Sequence, residues 1–175
     1  MPALRMRGQK AMDIRRLEHT DIASGWSINE QGLPGTGQIT ELEFADLLSL
    51  CDVAVGVFEN EEMLGFVLCL LPKTRYASLN YAWFNERYSS FLYVDRIAVA
   101  EKHRDKGVGS MLYEYVIEHA LERNSPVVAE VNLKPPNTGS IRFHERHGFS
   151  QVGVFNQGGK SVAMMLRAVK GLMDN

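Results

Sequence analysis

Cysteine is scarce in this sequence, and basic residues have no excess over acidic ones. The two cysteines, Cys51 and Cys69, form no C-x-x-C pair, which argues against a disulfide framework or a zinc site and favours free thiols in a reducing compartment. The formal net charge of -2 argues against a non-specific nucleic-acid binder, because such a protein needs a clear excess of lysine and arginine. We therefore predict neither a bound metal nor a nucleic-acid partner.

Long apolar runs are missing as well. No stretch approaches the roughly 20 apolar residues that cross a bilayer, and no apolar segment of a secretory signal follows the basic N-terminus. We therefore predict a cytoplasmic protein with no membrane partner. Residues 1–10 are predicted to be a flexible tail and residues 11–170 a single domain, since 175 residues suit one core.

The sequence does contain a regular succession of strand and helix patterns. The β-rich runs 52–58 and 63–71 predict an antiparallel hairpin, and Thr40 followed by Glu43 predicts a capping box at a helix start. That helix is expected to bury a leucine face, consisting of Leu42, Leu47, Leu48 and Leu50. Residues 72–90 are expected to form a long connection. The predicted order, β-α-α-β-β-β-α-β-α-β-β, indicates an α/β domain with a mixed six- to seven-stranded sheet flanked by helices on both faces.

Two glycines, Gly107 and Gly109, follow the strand pattern of RIAVAEKHRDKGVGSMLY and precede a helix pattern. The nucleoside-triphosphate loop is absent, and the dinucleotide fingerprint fails because Leu112 occupies the place of its third glycine. Free amides at a helix start still attract an anion, and Arg104 and Lys106 add positive charge beside them. From charge and glycine alone, an anion site and an ordinary strand-to-helix turn remain open.

Two motifs together are similar to those of the GNAT superfamily of acyl-CoA-dependent N-acyltransferases. The R-x-x-G-x-G segment from Arg104 to Gly109 resembles the superfamily's coenzyme A loop. The stretch AEVNLKPPNTGSIRFHERHGF, residues 129–149, resembles its second pattern, an E-V pair followed by N-x-x-[SA]-x-x-[FL]-[YF]-x-x-x-G-F. More narrowly, NYAWFNERYSSFLYVDRIAVA and EVNLKPPN resemble a bacterial branch whose acetyl acceptor is undefined.

The resemblance implies an N-acetyltransferase in which a primary amine attacks the acetyl-CoA thioester directly. It implies pyrophosphate binding by the amides of residues 105–110 and pairing of the pantetheine arm with residues 97–99. The residues that it assigns to the cofactor are Ile97, Ala98, Val99, Arg104, Asp105, Lys106, Gly107, Val108, Gly109, Ser110, Asn137, Ser140 and Phe143.

There are three catalytic candidates, and the same resemblance points to two of them. Glu130 matches the base of enzymes that acetylate protein N-termini, although the interval from this Glu to Asn137 is two residues longer here. Asp95 on the preceding strand is the competing base, and pairing of its carboxylate with Arg96 or Arg142 is the alternative. His144 occupies the place where many members have a tyrosine that protonates the thiolate, and imidazole can donate a proton near neutral pH.

Aromatic residues crowd the connection 72–90, where polar residues are expected. One interpretation is a wall for the acceptor, which we expect to be a small-molecule or peptide amine; a satellite hydrophobic cluster or a dimer contact are the alternatives. The candidate acceptor contacts are Asn29, Tyr81, Trp83, Phe84 and Tyr88. A non-catalytic acyl-CoA sensor or interaction module and a nucleotide-binding regulatory domain remain rival functions, and a homodimer is left open.

Overall fold

Seven strands make one sheet in the computed structural model, which describes residues 11–169. The strands are β1 (Asp13–Arg16), β2 (Val53–Glu59), β3 (Glu62–Leu70), β4 (Leu92–Val99), β5 (Val127–Lys134), β6 (Ser150–Gln157) and β7 (Lys160–Arg167). They lie in the order β1-β2-β3-β4-β5-β7-β6. Only β4 and β5 are parallel neighbours; the other pairs are antiparallel, so the sheet is mixed as predicted. The predicted tail, residues 1–10, lies outside the described residues.

Helices cover both faces of the sheet, which confirms the predicted fold class. They are α1 (Ile22–Gln31), α2 (Glu41–Leu50), α3 (Leu79–Arg87), α4 (Val108–Glu122) and α5 (Thr138–Arg146). The first three pack on one face through a core that includes Phe44, Phe66 and Phe84. On the other face, α4 buries Leu112 and Val116 against the sheet, and α5 packs beside it.

Local sequence signals explain the hairpin and the start of α2. Asn60 and Glu61 occupy the left-handed region with φ of 48° and 66°, as the two central residues of a tight hairpin turn require. The capping box is confirmed, since the Glu43 amide donates to Thr40 Oγ1 and the Thr40 amide to Glu43 Oε1, both at 3.1 Å.

Two predicted features are wrong. Residues 72–90 contain α3, whose first turn is capped by Ser78 through a hydrogen bond from the Tyr81 amide. Aromatic residues have only modest helix propensity, and here burial of one aromatic face overrides it. The second correction concerns α2, where Leu42 is 83% exposed, whereas Leu47 is buried as predicted and Phe44 joins it on the buried face.

The parallel strands β4 and β5 are paired only at their beginnings. Leu92 pairs with Val127 and Tyr93 with Val128, and the register contains no further pair between these strands. Farther along, β4 stays bonded to β3 as far as Val99, and β5 stays bonded to β7 as far as Lys134. The two strands therefore leave a gap inside the sheet, with an open backbone edge on each side.

Candidate active site

A cavity of about 570 Å³ occupies the gap between β4 and β5. Its wall combines residues from both strands with loops from both faces of the sheet. The lining from β4 is Val94, Asp95, Arg96, Ile97, Ala98 and Val99, and that from β5 is Ala129, Glu130, Asn132 and Lys134. Most of the remaining wall consists of the loop 32–37, Tyr76, Ser78, Asn80, Arg104, Tyr113, Asn137, Ser140, His144, Phe155, Gln157, Lys160 and Val162.

The start of α4 has the geometry of an anion site. Gly107 adopts φ of 79° directly before the first helical residue and provides no side-chain cap, so the first-turn amides are left for a ligand or water. Arg104 lines the cavity beside this turn, and its Nη2 donates to the Gln31 carbonyl at 3.2 Å. Lys106 Nζ lies 3.1 Å from His103 Nδ1 on the same loop.

Contacts between α4 and α5 explain why Gly109 is a glycine. A Cβ at this position would lie 3.1 Å from Cζ of Phe143, so a larger side chain would displace that ring. Phe143 thus supports the turn from behind and is absent from the cavity wall. Asn137 and Ser140 do line the cavity, and the Asn137 side chain caps α5 by accepting from the Ser140 amide at 3.2 Å.

Glu130 presents a carboxylate to the gap. The Tyr93 hydroxyl donates to Glu130 Oε1 at 2.8 Å, whereas the buried Oε2 has no hydrogen-bond partner among residues 11–169. Burial, followed by the negative charge of Asp95, raises the pKa of Glu130 to about 8, although the hydrogen bond from Tyr93 opposes the shift. An unpartnered carboxylate oxygen in a cavity is suited to accept a proton from a bound group.

Asp95 also lines the cavity, but its carboxylate is held in an ion pair. Arg96 Nε donates to Asp95 Oδ2 at 2.8 Å, and both side chains are buried. Arg96 is fixed in turn by Asn29, since its Nη1 donates to Asn29 Oδ1 at 3.0 Å and to the Gly37 carbonyl at the same distance. Asn29 is fully buried and supports Arg96 instead of lining the cavity.

His144 lies at the cavity wall with both ring nitrogens engaged. Nδ1 lies 2.7 Å from the Ser140 carbonyl, which can only accept, so Nδ1 carries the hydrogen. Nε2 lies 2.6 Å from the Tyr113 hydroxyl and accepts from it. Burial lowers the pKa of His144 and favours this neutral ring.

Tyr113 is a wall residue that the sequence analysis did not identify. It follows Gly109 by four residues on α4, and this spacing places both residues on the same helix face. This four-residue interval is the feature of the sequence from which the position of Tyr113 could have been predicted.

Most of the aromatic residues that were predicted to contact the acceptor lie in the hydrophobic core. Tyr81, Trp83 and Phe84 are buried, and neither they nor Tyr88 belongs to the cavity lining formed by residues 11–169. The Tyr81 hydroxyl donates to the Leu71 carbonyl, which ties α3 to the end of β3. The neighbouring wall comes from polar side chains at the start of α3 and before it, at Tyr76, Ser78 and Asn80.

The sequence matches the model of a known protein family. Residues 21–149 match the family model described as the acetyltransferase (GNAT) family. The chain belongs to that family. No curated protein matches this acetyltransferase.

Solved structures share the fold at low sequence identity. Ard1 from Thermoplasma volcanium superposes with a TM-score of 0.73 at 22% identity, over 91% of the acetyltransferase and 98% of that chain. Arabidopsis thaliana NAA60 in complex with a bisubstrate analogue gives a TM-score of 0.73 at 18% identity, over 92% and 99%. The same plant protein in complex with acetyl-CoA gives 0.72 at 16% identity, over 91% and 100%.

The family match confirms the predicted activity and donor: the protein is an acetyl-CoA-dependent N-acetyltransferase. No helix within residues 11–169 is both long enough and apolar enough to span a membrane.

Proposed function

We propose that the protein acetylates a primary amine by direct attack on acetyl-CoA, with Glu130 as the base. The observation that supports this most is the unpartnered Glu130 Oε2, buried in the gap where β4 and β5 separate. An amine placed there would give its proton to an oxygen that residues 11–169 leave without a hydrogen bond. The carboxylate has a raised pKa, which suits a base operating near neutral pH.

Acetyl-CoA would enter the gap from the side of α4. Its pyrophosphate fits the first-turn amides after Gly107, with Arg104 beside them. The open edge of β4 can pair with the pantetheine arm, and Asn137 and Ser140 line the opposite side of the same channel. This arrangement directs the thioester toward Glu130 from the side of the phosphate loop.

The proposed acetyl transfer forms one bond and breaks one bond at the thioester carbon. The amine nitrogen forms a bond to the thioester carbonyl carbon, and the carbon–sulfur bond breaks. One proton passes from the amine to Glu130, and the sulfur leaves as a thiolate that takes up a proton to give CoA. Backbone N–H groups of β4, near Val99, would stabilise the carbonyl oxygen as it gains negative charge.

Glu130 is preferred to Asp95 because the Asp95 carboxylate already accepts from Arg96. The proton for the thiolate is assigned to the Tyr113–His144 pair, which lines the cavity. His144 serves as acid only in its charged form, which burial disfavours, so its contribution to the rate is expected to be small.

A thiol-release assay over a panel of amines tests this function, with binding of acetyl-CoA measured by calorimetry. We expect turnover with at least one class of primary amine and a preference for acetyl-CoA over ATP in binding. Tight acetyl-CoA binding with no turnover across the panel would favour the acyl-CoA sensor instead. A cytoplasmic location and a homodimer stay predictions, which fractionation and sedimentation can check.

A further inference from the structure

Six cavity residues share one face of the sheet. Residues directly opposite each other on antiparallel strands point to the same face, and so do alternate residues along a strand. Asn132 is opposite Val162, which is opposite Phe155, and Gln157 is opposite Lys160. With Glu130 two residues before Asn132, these side chains lie on the face that α1, α2 and α3 cover, where Val162 and Phe155 join the core.

The residues assigned to the donor come from the opposite face. Tyr113 belongs to α4, and Ser140 and His144 belong to α5, both of which pack on the second face of the sheet. The cavity therefore passes through the sheet by way of the β4–β5 gap. If acetyl-CoA occupies the α4 side, the acceptor amine must reach Glu130 from the side of Lys160 and Gln157.

The acceptor side ends in uncompensated positive charge. Lys160 lines the cavity and forms no ion pair with any residue of the described chain. The Gln157 Nε2 atom is buried in the same corner and has no hydrogen-bond partner within residues 11–169. The Lys160 ammonium group and this amide donor form a site that suits a carboxylate or phosphate.

Strand geometry gives the distance from this corner to the base. Glu130 is opposite Met164, which is four residues from Lys160 along β7. At about 3.3 Å of rise per residue, the two positions are roughly 13 Å apart along the strand. The α-carboxylate of a free amino acid lies much closer to its own amine than that. An acceptor that reaches both ends must be elongated.

We propose that the acceptor is an elongated primary amine with an anionic group remote from the nitrogen, which Lys160 and Gln157 bind while Glu130 receives the amine. This proposal rests on the proposed function and adds the chemical class of the substrate. An acidic side chain a few residues along a peptide or the carboxylate of a linear small molecule would each meet the requirement.

Matched acid and amide acceptors test the proposal through the ratio of their kcat/KM values. One arm compares ω-aminooctanoate with its terminal amide, and the other compares the C-terminally amidated peptides Ser-Ala-Glu-Ala and Ser-Ala-Gln-Ala. In the parent protein we expect the acid to be favoured about tenfold in at least one arm, as a charge-assisted hydrogen bond allows. The arm that shows the preference identifies the source of the anion.

Variants of Lys160 and Gln157 test whether these two residues cause the preference for the acid over the amide. Lys160→Gln should bring the ratio near one, Lys160→Glu should invert it, and Gln157→Leu should lower it partially. Lys73→Gln, an exposed lysine outside the cavity wall, should keep the parent ratio. Equal rates for acid and amide in the parent, or a preference that survives in Lys160→Gln, would overturn this inference and leave the proposed function unaffected. Absence of turnover with every amine would overturn the proposed function, and the inference with it.

Discussion

The two sides of the β4–β5 gap differ in how the chain builds them. The donor side uses neighbouring residues, with Arg104, Gly107 and Gly109 inside one turn and Asn137 and Ser140 inside another. The acceptor side collects single side chains from the loop 32–37, the start of α3 and three different strands.

The difference follows from what each side binds. A pyrophosphate is bound largely by backbone amides, and their placement needs a glycine-containing turn at a helix start. Such a turn is short and can be recognised in the sequence. An acceptor is distinguished by side chains, which any residue near the gap can supply. Variants on each side should therefore have separable effects.

The largest effect is expected from Glu130→Gln, at the point where the two sides meet. Loss of the base should lower kcat by about a hundredfold or more, while acetyl-CoA affinity stays near that of the parent. Steady-state kinetics and calorimetry measure the two quantities. Glu118→Gln, an exposed glutamate on α4, is the matched control. Undiminished turnover in Glu130→Gln would mean that Asp95 or water is the base.

A donor-side variant, Arg104→Ala, should weaken acetyl-CoA binding by about tenfold, as loss of a charged contact to phosphate implies. The acid-to-amide ratio of the acceptors should not change, since Arg104 follows β4 on the opposite side of the gap from β6 and β7. Arg123→Ala is the control, because Arg123 pairs with Asp52 at the far end of α4. Parent-like affinity in Arg104→Ala would contradict the assigned phosphate site.

The pH profile of kcat/KM should rise as Glu130 ionises, with a midpoint near its pKa of about 8. Tyr93→Phe should move that limb to higher pH, because the Tyr93 hydroxyl donates to the carboxylate and stabilises its charged form. The rate at neutral pH should then fall by a few-fold. A limb that does not move in Tyr93→Phe would assign the titration to another group.

The smallest effect is expected from His144→Phe. Both ring nitrogens already bond within the protein, and burial lowers the pKa of the imidazole, so kcat should fall only about two- to threefold. Comparison of the basic limbs of the two pH–rate profiles decides the role of His144. Loss of the basic limb in the variant would make His144 the acid.

Much of the fold was predictable because its signals are local. The Thr40 cap and the β2–β3 hairpin depend on residues within a few positions of each other. The α3 helix was not predicted, since its aromatic residues have modest propensity and only packing on the sheet makes their common face visible. Leu42 was misplaced for the same reason, because only contact with the sheet selects which apolar side of α2 is buried.

The sequence by itself determined the order of the strands and of every helix except α3, and it indicated the family and the donor, because a glycine turn at a helix start and a helix cap are short-range features. Only the tertiary structure decided what surrounds the reacting amine. Where β4 diverges from β5, Glu130 Oε2 has no hydrogen-bond partner in the described part of the chain, and the sheet register brings Gln157 and Lys160 to the face that carries Glu130. The pairing that brings Glu130 to this face joins β5 to β7, which are distant in the chain, and no local pattern encodes that register.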